Sequence, residues 1–370
     1  MTRKTAFKIA VLPGDGIGPE VIAPAVELLN RACILTGGFT IEFEWLKAGA
    51  LHYQEHGVSI PNETLDITRN VDAILLGAMG LPDIRYPDGT EISPQLELRE
   101  KLGLYAGVRP IRTIPGLPLP LVDRRAENLD FVLVRESTEG LFAARGKCLI
   151  GSDDVARDTM EISRATSERL FDFAFELATK RKRDGYPGQV TCIDKANVLG
   201  SFVFFRKIFD ERAKLYPDIE AKHCYVDAAG LNLIKQPWTF DVMVTENMFG
   251  DILSDVGAGL MGGMGFAPSA DIGDRHAVFQ PCHGSAPDIA GQALANPTAT
   301  FLSTAMMLDW LADSFSNSSC RKASLLIYRA VDAVFSDGQH ITGELGGTAG
   351  TDEISDAVLS KLQALATANV

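Results

Sequence analysis

The sequence predicts an α/β protein with a mostly parallel sheet and two domains. Short apolar runs alternate with longer segments of helical periodicity along the 370 residues, and such alternation is typical of parallel sheets. At roughly 150 residues per domain, the length favours about two domains. Hydrophobic residues make up 46% and charged residues 22% of the chain, which is an ordinary globular composition and excludes a disordered chain.

The predicted elements begin with a strand at residues 8–12, a turn at Pro13-Gly14-Asp15-Gly16 and a helix at 21–35. Five later runs are short, β-branched and bounded by glycine or polar residues, as strands are. They cover residues 71–76, 131–134, 189–193, 223–226 and 241–244. The clearest helix spans residues 163–183, because apolar residues recur from Leu170 at helical spacing and basic residues close its last turn.

Charge and cysteine usage exclude several classes of partner. Lys and Arg number 35 against 48 Asp and Glu, a net charge of −13, so no nucleic acid or anionic membrane partner is expected. A small anionic substrate would need a local basic pocket. The six cysteines form no C-x-x-C pair, and no run approaches ~18 apolar residues. We expect a cytoplasmic protein with reduced thiols.

The turn after the first strand resembles a dinucleotide-binding fingerprint only in part. Gly14 and Gly16 have the right spacing, but Pro19 stands where the third glycine belongs. This argues against a Rossmann site. A glycine turn at the mouth of a helix, close to a ligand, remains the expectation.

Three aspartates are candidate metal ligands. Asp251 and Asp255 are four residues apart, so a helix would place both on one face, where they repel unless a cation lies between them. Oxygen ligands favour Mg²⁺ or Mn²⁺. The alternative is a solvated acidic face. Asp227 follows an apolar run and either completes the metal site or caps a helix.

Basic residues are candidates for substrate binding and proton transfer. Arg99, Arg109 and Arg135 could bind carboxylates in bidentate fashion, although each alone fits a surface ion pair equally. Lys195 follows an apolar strand, where partial desolvation would lower its pKa toward that of a general base.

The segment from His283 to Asp288 reads His-Gly-Ser-Ala-Pro-Asp and lacks the Gly-x-Ser-x-Gly of a nucleophile elbow. An aspartate beside a nucleotide ribose accepts hydrogen bonds from its hydroxyls and repels a 2′-phosphate. If Asp288 lies there, the protein selects NAD over NADP.

Taken together and in this order, these motifs resemble the isocitrate/isopropylmalate dehydrogenase family of β-decarboxylating dehydrogenases. The likeness runs from about Lys8 to Thr351. It implies the family's two-domain, non-Rossmann α/β fold, with residues 1–104 and 262–370 forming a cofactor-side domain. Residues 105–261 would form a central domain that carries a homodimer interface.

The resemblance also implies NAD- and metal-dependent oxidative decarboxylation of a 3-substituted (2R)-malate, a hydroxy-dicarboxylate. It implies a role for each matching position. Lys195 and Asp227 would reach the active site from the neighbouring subunit. Substrate would contact Ser93, Gln95, Leu96, Arg99, Arg109 and Arg135; the cofactor would contact His283, Gly284, Ser285, Ala286, Asp288 and Asn296; the metal would be bound by Asp227, Asp251 and Asp255.

The chain departs from the family pattern at three places. Phe142 stands where the family has a tyrosine that takes part in the final protonation. Gln280 stands where the family has a glutamate near the cofactor. The substrate-selecting segment pairs polar Gln95 with apolar Leu96, which suits neither isopropylmalate nor isocitrate cleanly.

Four functions therefore remain open. Leu96 and Asp288 favour 3-isopropylmalate as substrate. D-malate or tartrate, and isocitrate or homoisocitrate, are the alternative substrates. A non-catalytic regulatory subunit is the alternative class; only Phe142 supports it, and the retained lysine, aspartates and arginines oppose it.

Overall fold

The computed structural model of the protein describes residues 4–152 and 154–368, which contain twelve strands and eleven α-helices. The strands are β1 Ala6–Gly14, β2 Thr40–Trp45, β3 Ala73–Ala78, β4 Ala106–Arg112, β5 Asp130–Glu136, β6 Leu149–Ser152, β7 Val155–Arg157, β8 Gln189–Asp194, β9 Glu220–Tyr225, β10 Val242–Thr245, β11 Pro268–Ile272 and β12 Ala277–Pro281. The helices are α1 Gly18–Thr36, α2 Ala50–His56, α3 Asn62–Thr68, α4 Pro94–Leu102, α5 Arg164–Arg183, α6 Gly200–Ala213, α7 Val226–Lys235, α8 Asn247–Met261, α9 Thr298–Phe315, α10 Ser318–Phe335 and α11 Thr351–Ala368.

Ten strands form one sheet in the order β2-β1-β3-β12-β11-β4-β5-β10-β8-β9, and β6 and β7 form a separate hairpin. The first four strands pair in parallel, and so do the last four. Between them, β11 and β4 pair antiparallel with each other and with their outer neighbours. The mostly parallel α/β fold predicted from the sequence is therefore confirmed, and its two parallel halves run in opposite directions.

Every strand and helix that the sequence predicts is present, with each end within three residues of its predicted position. The central strands β4, β11 and β12 escaped prediction because polar residues or prolines interrupt their apolar pattern. Arg109 and Pro110 lie within β4, and Asp271 lies within β11. All are nonetheless on the central strands of the sheet, where side chains are buried on both faces.

Helices cover both halves of the sheet. In one half, α5 packs on α6 through aromatic rings: the Phe171 and Phe205 rings lie 4.6 Å apart, and Phe175 stacks on Phe209 at 5.2 Å. In the other half, α1, α9, α10 and α11 pack together. No helix in residues 4–152 and 154–368 is both long and apolar enough to cross a membrane.

The Pro/Gly-rich segment after β4 is a loop, and it lies against the end of α10. Gly116 has φ +89°, and a Cβ atom there would be 2.1 Å from the backbone oxygen of Phe335. Only glycine permits both this backbone conformation and this approach. The loop thereby ties the end of β4 to α10.

We expect Gly116→Ala to lower the free energy of unfolding by about 3 kcal/mol, because left-handed strain and a backbone clash add. Gly57 is the matched control: it also has positive φ, but a Cβ there meets nothing within 4 Å. Gly57→Ala should cost only about 1 kcal/mol. Urea unfolding at one protein concentration measures both, and equal losses would contradict the proposed clash.

Candidate active site

A cavity of about 310 Å³ opens at the middle of the sheet, beside the antiparallel strands. All three predicted arginines contribute to its wall: Arg99 from α4, Arg109 from β4 and Arg135 from β5. Six other predicted site residues also line the cavity: Gln95, Leu96, Phe142, Asp251, His283 and Gly284. Gln280, where the chain departs from the family pattern, lines it too. The fold thus gathers predicted residues that are up to 189 positions apart, from Gln95 to Gly284.

Arg135 is only 2% exposed, and hydrogen bonds hold its guanidinium group in place. Its Nε and one terminal nitrogen donate to Asn247 Oδ1 at 2.9 and 2.7 Å, and the other terminal nitrogen pairs with Asp251. Gly250 permits this approach, since a Cβ there would be 2.6 Å from Arg135 Cγ. Burial and repulsion from Arg99 lower the pKa of Arg135 to about 10, so it is still a cation at neutral pH.

Arg99 and Arg109 are each 6% exposed. Arg109 donates to Cys282 Sγ at 3.5 Å, but its buried Nε has no hydrogen-bond partner among the described residues. A buried donor without an acceptor is costly. The arginine cluster is therefore suited to an anionic ligand that would complete its hydrogen bonds.

Asp271 is a site residue that sequence reasoning missed. It is 1% exposed and accepts hydrogen bonds from Arg99 Nε at 3.0 Å, Gln280 Nε2 at 3.0 Å and Ser137 Oγ at 3.2 Å. Burial alone would raise its pKa, but the nearby arginines outweigh burial and lower it. The signal in the sequence was a charged residue inside the short strand segment Pro268–Ile272.

Asp251 and Asp255 both lie on the first turns of α8, as the sequence predicts. Desolvation and the negative charge of Asp251 raise the pKa of Asp255. This mutual repulsion is what a bound cation would relieve. In the described part of the chain, however, no three His, Cys, Asp or Glu side chains gather closely enough to hold a metal, so Asp227 does not join this pair within one subunit.

Lys195 and Asp227 form their own pair away from the cavity. Lys195 Nζ lies 2.6 Å from Asp227 Oδ1, with side-chain exposures of 27% and 67%. This contact lowers the pKa of Asp227. Asp227 stands in the first turn of α7 without capping it, which removes the alternative of a helix N-cap. Neither residue lines the 310 Å³ cavity.

A second cavity, of about 360 Å³, contains part of the predicted cofactor site. His283, Ala286 and Asn296 line it, and His283 also lines the first cavity. Two buried polar atoms at this cavity, His283 Nε2 and Thr342 Oγ1, have no partner among the described residues. Unpaired buried polar atoms at this cavity fit the many polar groups of a dinucleotide.

The glycine turn after β1 lies against the cofactor segment. Ile17 N donates to the carbonyl oxygen of Ser285 at 2.8 Å, and a Cβ on Gly16 would lie 2.0 Å from that oxygen. Ser285 is buried, whereas Gly284 and Asp288 are exposed, and Asp288 is not in the wall of either cavity. The turn therefore fixes the backbone of this segment, while Asp288 faces solvent beside it.

The residues predicted to select the substrate lie at the beginning of α4. Gln95 and Leu96 line the first cavity, and Gln95 Oε1 is buried without a partner among the described residues. Ser93 precedes the helix, donates to the Glu91 carbonyl at 3.2 Å and is not in the cavity wall. The cavity thus offers one apolar and one polar side chain to the part of a ligand that lies near α4.

Phe142 lines the cavity beside Arg135. The Arg135 guanidinium lies 5.1 Å from the centre of its ring, a favourable cation–π distance. The ring contributes surface and no proton donor to the cavity.

Buried Glu136 holds the turn that follows β5. Its carboxylate accepts from Thr138 N, Thr138 Oγ1 and Glu139 N at 2.6 to 2.7 Å. Burial nevertheless raises the pKa of Glu136 to about 7, although these hydrogen bonds act in the other direction. The carboxyl group of Glu136 therefore titrates near neutral pH.

Comparison with known proteins identifies close relatives. The family model of isocitrate/isopropylmalate dehydrogenase matches residues 8–358. The 3-isopropylmalate dehydrogenase of Heyndrickxia coagulans is 42% identical over 367 residues, covering 96% of each protein. The 3-isopropylmalate/3-methylmalate dehydrogenase of Methanocaldococcus jannaschii is 40% identical over 96% of this chain and 99% of that protein. The crystal structure of isocitrate dehydrogenase from Methylococcus capsulatus matches with a TM-score of 0.83 and 35% identity, over 96% of this chain and 99% of that one.

Glu136 should make stability depend on pH. Its pKa is raised from 4.5 to about 7 by folding, so its contribution is fully present below pH ~4.5 and is lost as pH rises through about 7, by up to about 3 kcal/mol. Glu136→Gln removes this titration. As pH rises from 5 to 8, the wild type should therefore lose unfolding free energy that the variant does not lose. Urea unfolding of both proteins at each pH measures this difference. A difference independent of pH would contradict the raised pKa.

Proposed function

The chain belongs to the isocitrate/isopropylmalate dehydrogenase family of β-decarboxylating dehydrogenases, and from this we propose that it oxidises and decarboxylates 3-isopropylmalate with NAD and Mg²⁺ or Mn²⁺. One observation carries the proposal: three buried arginines converge on a cavity whose wall also contains Leu96 and Asp251. The guanidinium groups suit the two carboxylates of a malate, and Leu96 suits an apolar substituent on C3.

The arginines bind and orient the substrate. Arg135 keeps its position because Asn247 and Asp251 hold it before any ligand arrives. Arg109 gains an acceptor for its unpaired Nε when a carboxylate enters. Such pre-organised donors align the C2–H bond with the cofactor at little entropic cost.

A divalent cation fits Asp251 and Asp255, whose mutual repulsion it would relieve, with Asp227 of the partner subunit as third ligand. When bound, the cation supplies Lewis-acid stabilisation of negative charge on the C2 oxygen. Lys195 of the partner subunit accepts the proton of the C2 hydroxyl group. Because Phe142 has no hydroxyl group, water or another group delivers the final proton to C3.

The apolar surface around Asp227 supports a homodimer with shared active sites. Asp227, Leu231 and Ile234 follow one face of α7 at helical spacing, and both apolar residues are more than half exposed. Ile252, between the acidic pair on neighbouring α8, is exposed to the same degree. A partner covering this face would bury these side chains and bring Asp227 to an acidic pair, as a two-fold interface does reciprocally.

The second cavity is the proposed site of the NAD adenosine, with Asn296 and Ala286 in its wall. His283, which lines both cavities, would mark the path of the cofactor between them. Asp288, exposed beside this path, would accept hydrogen bonds from the ribose hydroxyls and disfavour NADP. We further propose the domain division at residues 104/105 and 261/262, which passes between β11 and β4 in the middle of the sheet.

Gln95 favours a second candidate substrate. Its buried, unpartnered Oε1 atom would accept a hydrogen bond from a hydroxyl group on C3, which tartrate has and isopropylmalate lacks. A regulatory subunit without activity is disfavoured, because the arginines, Asp251 and their hydrogen bonds form a complete carboxylate site.

A substrate panel tests the proposed function. We expect NADH and CO₂ to form in equal amounts from 3-isopropylmalate with Mg²⁺ or Mn²⁺, with a kcat/KM at least about tenfold above that for tartrate, D-malate or isocitrate, since burying an isopropyl group against Leu96 stabilises the complex by a few kcal/mol. NADH absorbance and CO₂ release are measured in parallel. Formation of NADH without CO₂ would contradict coupled decarboxylation. If no acid yields NADH, the proposed dehydrogenase activity is excluded.

Mixing two inactive variants tests the shared active site. Lys195→Met and Asp251→Asn should each abolish turnover. Refolded together at equal amounts, they should recover about one quarter of wild-type activity, because half of the dimers are mixed and each has one intact site.

The matched control combines Lys195→Met with Asp227→Asn, two changes on the same side of the proposed interface. This mixture leaves no intact site and should recover nothing. Recovery in the control, or none in the first mixture, would refute sites built from two subunits.

A further inference from the structure

Asp271 forms the most enclosed ion pair of the candidate site, and the mechanism above does not use it. Its carboxylate accepts hydrogen bonds from Arg99 Nε, Gln280 Nε2 and Ser137 Oγ, each within 3.2 Å. Two of these donors, Arg99 and Gln280, belong to residues of the cavity wall. The two terminal nitrogens of Arg99 make no hydrogen bond to another described residue. Since Nε is occupied by Asp271, these terminal groups are the ones left for a ligand.

The sheet is built to leave room for this carboxylate. Asp271, Gly107 and Arg135 lie in one row across β11, β4 and β5. A Cβ atom on Gly107 would lie 2.6 Å from Ser137 Oγ and 3.2 Å from Asp271 Oδ1. Glycine weakens a strand interior, so its position here is explained by the space that the two side chains occupy.

Charge counting gives the consequence for ligands. Three buried guanidinium groups contribute three positive charges, and Asp271 offsets one of them permanently because no ligand can reach its hydrogen-bonded oxygens. Asp251 is different: it is 49% exposed and is part of the proposed metal site. The arginine cluster with Asp271 therefore retains two positive charges, which match two carboxylates.

We propose that Asp271 is a positioning and specificity-determining residue: it fixes the Arg99 guanidinium through Nε and limits the site to malates whose C3 substituent is uncharged. The proposal rests on the proposed function and deepens it. A third carboxylate on C3, as in isocitrate, would lie near Gln95 and Leu96 in the same cavity, where the arginine cluster with Asp271 keeps only two positive charges. Gln280 supports Asp271 by donating to the same oxygen that Arg99 contacts.

The test uses Asp271→Asn, which keeps the shape of the side chain and removes its charge. We expect the ratio of kcat/KM for isocitrate to that for 3-isopropylmalate to rise about tenfold or more, through KM rather than kcat, because charge interactions in proteins are of this order. Calorimetric binding of both acids with Mg²⁺ and without NAD should give the same change in the ratio of Kd values.

A charge swap provides the rescue. In the double variant Asp271→Asn, Gln280→Glu, the carboxylate moves to the neighbouring position, 3.0 Å away in the wild type, and the amide takes its place. The cluster regains its negative charge, so the isocitrate preference should return toward the wild-type ratio.

Asp241→Asn is the matched control. Asp241 is also 1% exposed and also accepts a hydrogen bond from an arginine Nε, that of Arg181, at 2.6 Å, but it lies in the wall of neither cavity. It should lower stability and leave the ratio unchanged. An unchanged ratio in Asp271→Asn, or the same change in Asp241→Asn, would overturn the proposal.

Failure of the proposed function is a separate outcome. If the wild type oxidises none of the acids, the binding ratios still decide whether Asp271 selects against a third carboxylate. If it oxidises 3-isopropylmalate but the variant ratios do not change, the function stands and the role of Asp271 falls.

Discussion

The burial of three guanidinium groups beside one another is the constraint on which the site depends. Each is desolvated, and each repels the others, which lowers the pKa of Arg135 to about 10. Removing a charge from water costs several kcal/mol unless hydrogen bonds and opposite charges compensate. Asp271, Asn247 and Asp251 give that compensation without closing the cavity. Arg109 is left with an unpaired Nε, so the cluster is fully satisfied only with an anion bound.

The topology of the sheet makes this arrangement possible. In a wholly parallel sheet, functional side chains collect at the carboxyl ends of the strands. Here the two parallel halves run in opposite directions and meet at antiparallel β11 and β4. Arg109, Arg135, Asp271 and Gln280 all come from this junction and from the strands on either side of it. Because the junction lies at the centre of the sheet, neighbouring strands exclude water and hold the charged groups in register.

The sequence sufficed for the parts of the molecule that follow a local pattern. Helices α1 and α5 and six strands of the two parallel halves could be predicted, because apolar periodicity identifies buried faces; these strands are β1, β3, β5, β8, β9 and β10. The junction could not, because Arg109, Pro110 and Asp271 break that periodicity for reasons that lie on other strands. The same limit applied within the site: motifs indicated the arginines and the acidic pair, whereas Asp271 belongs to no motif. Its role depends on Gly107, 164 positions earlier, having no side chain.

Lys195 and Asp227 bear on the assembly in the same physical way. They are bonded to each other at 2.6 Å, outside the cavity, on a surface where Leu231 and Ile234 are also exposed. An exposed ion pair contributes little to stability, and exposed apolar side chains around it contribute less, so this surface is not explained by the needs of a single chain. Within the described residues the acidic pair likewise lacks a third ligand. One subunit thus has an arginine-lined cavity whose wall does not include Lys195, and a lysine–aspartate pair outside that cavity. A two-fold interface would answer both needs at once, since each subunit would give its pair to the other's cavity.

The net charge of −13 does not oppose this chemistry, because the positive charges that bind the substrate are buried and act over a few ångströms, where solvent does not screen them.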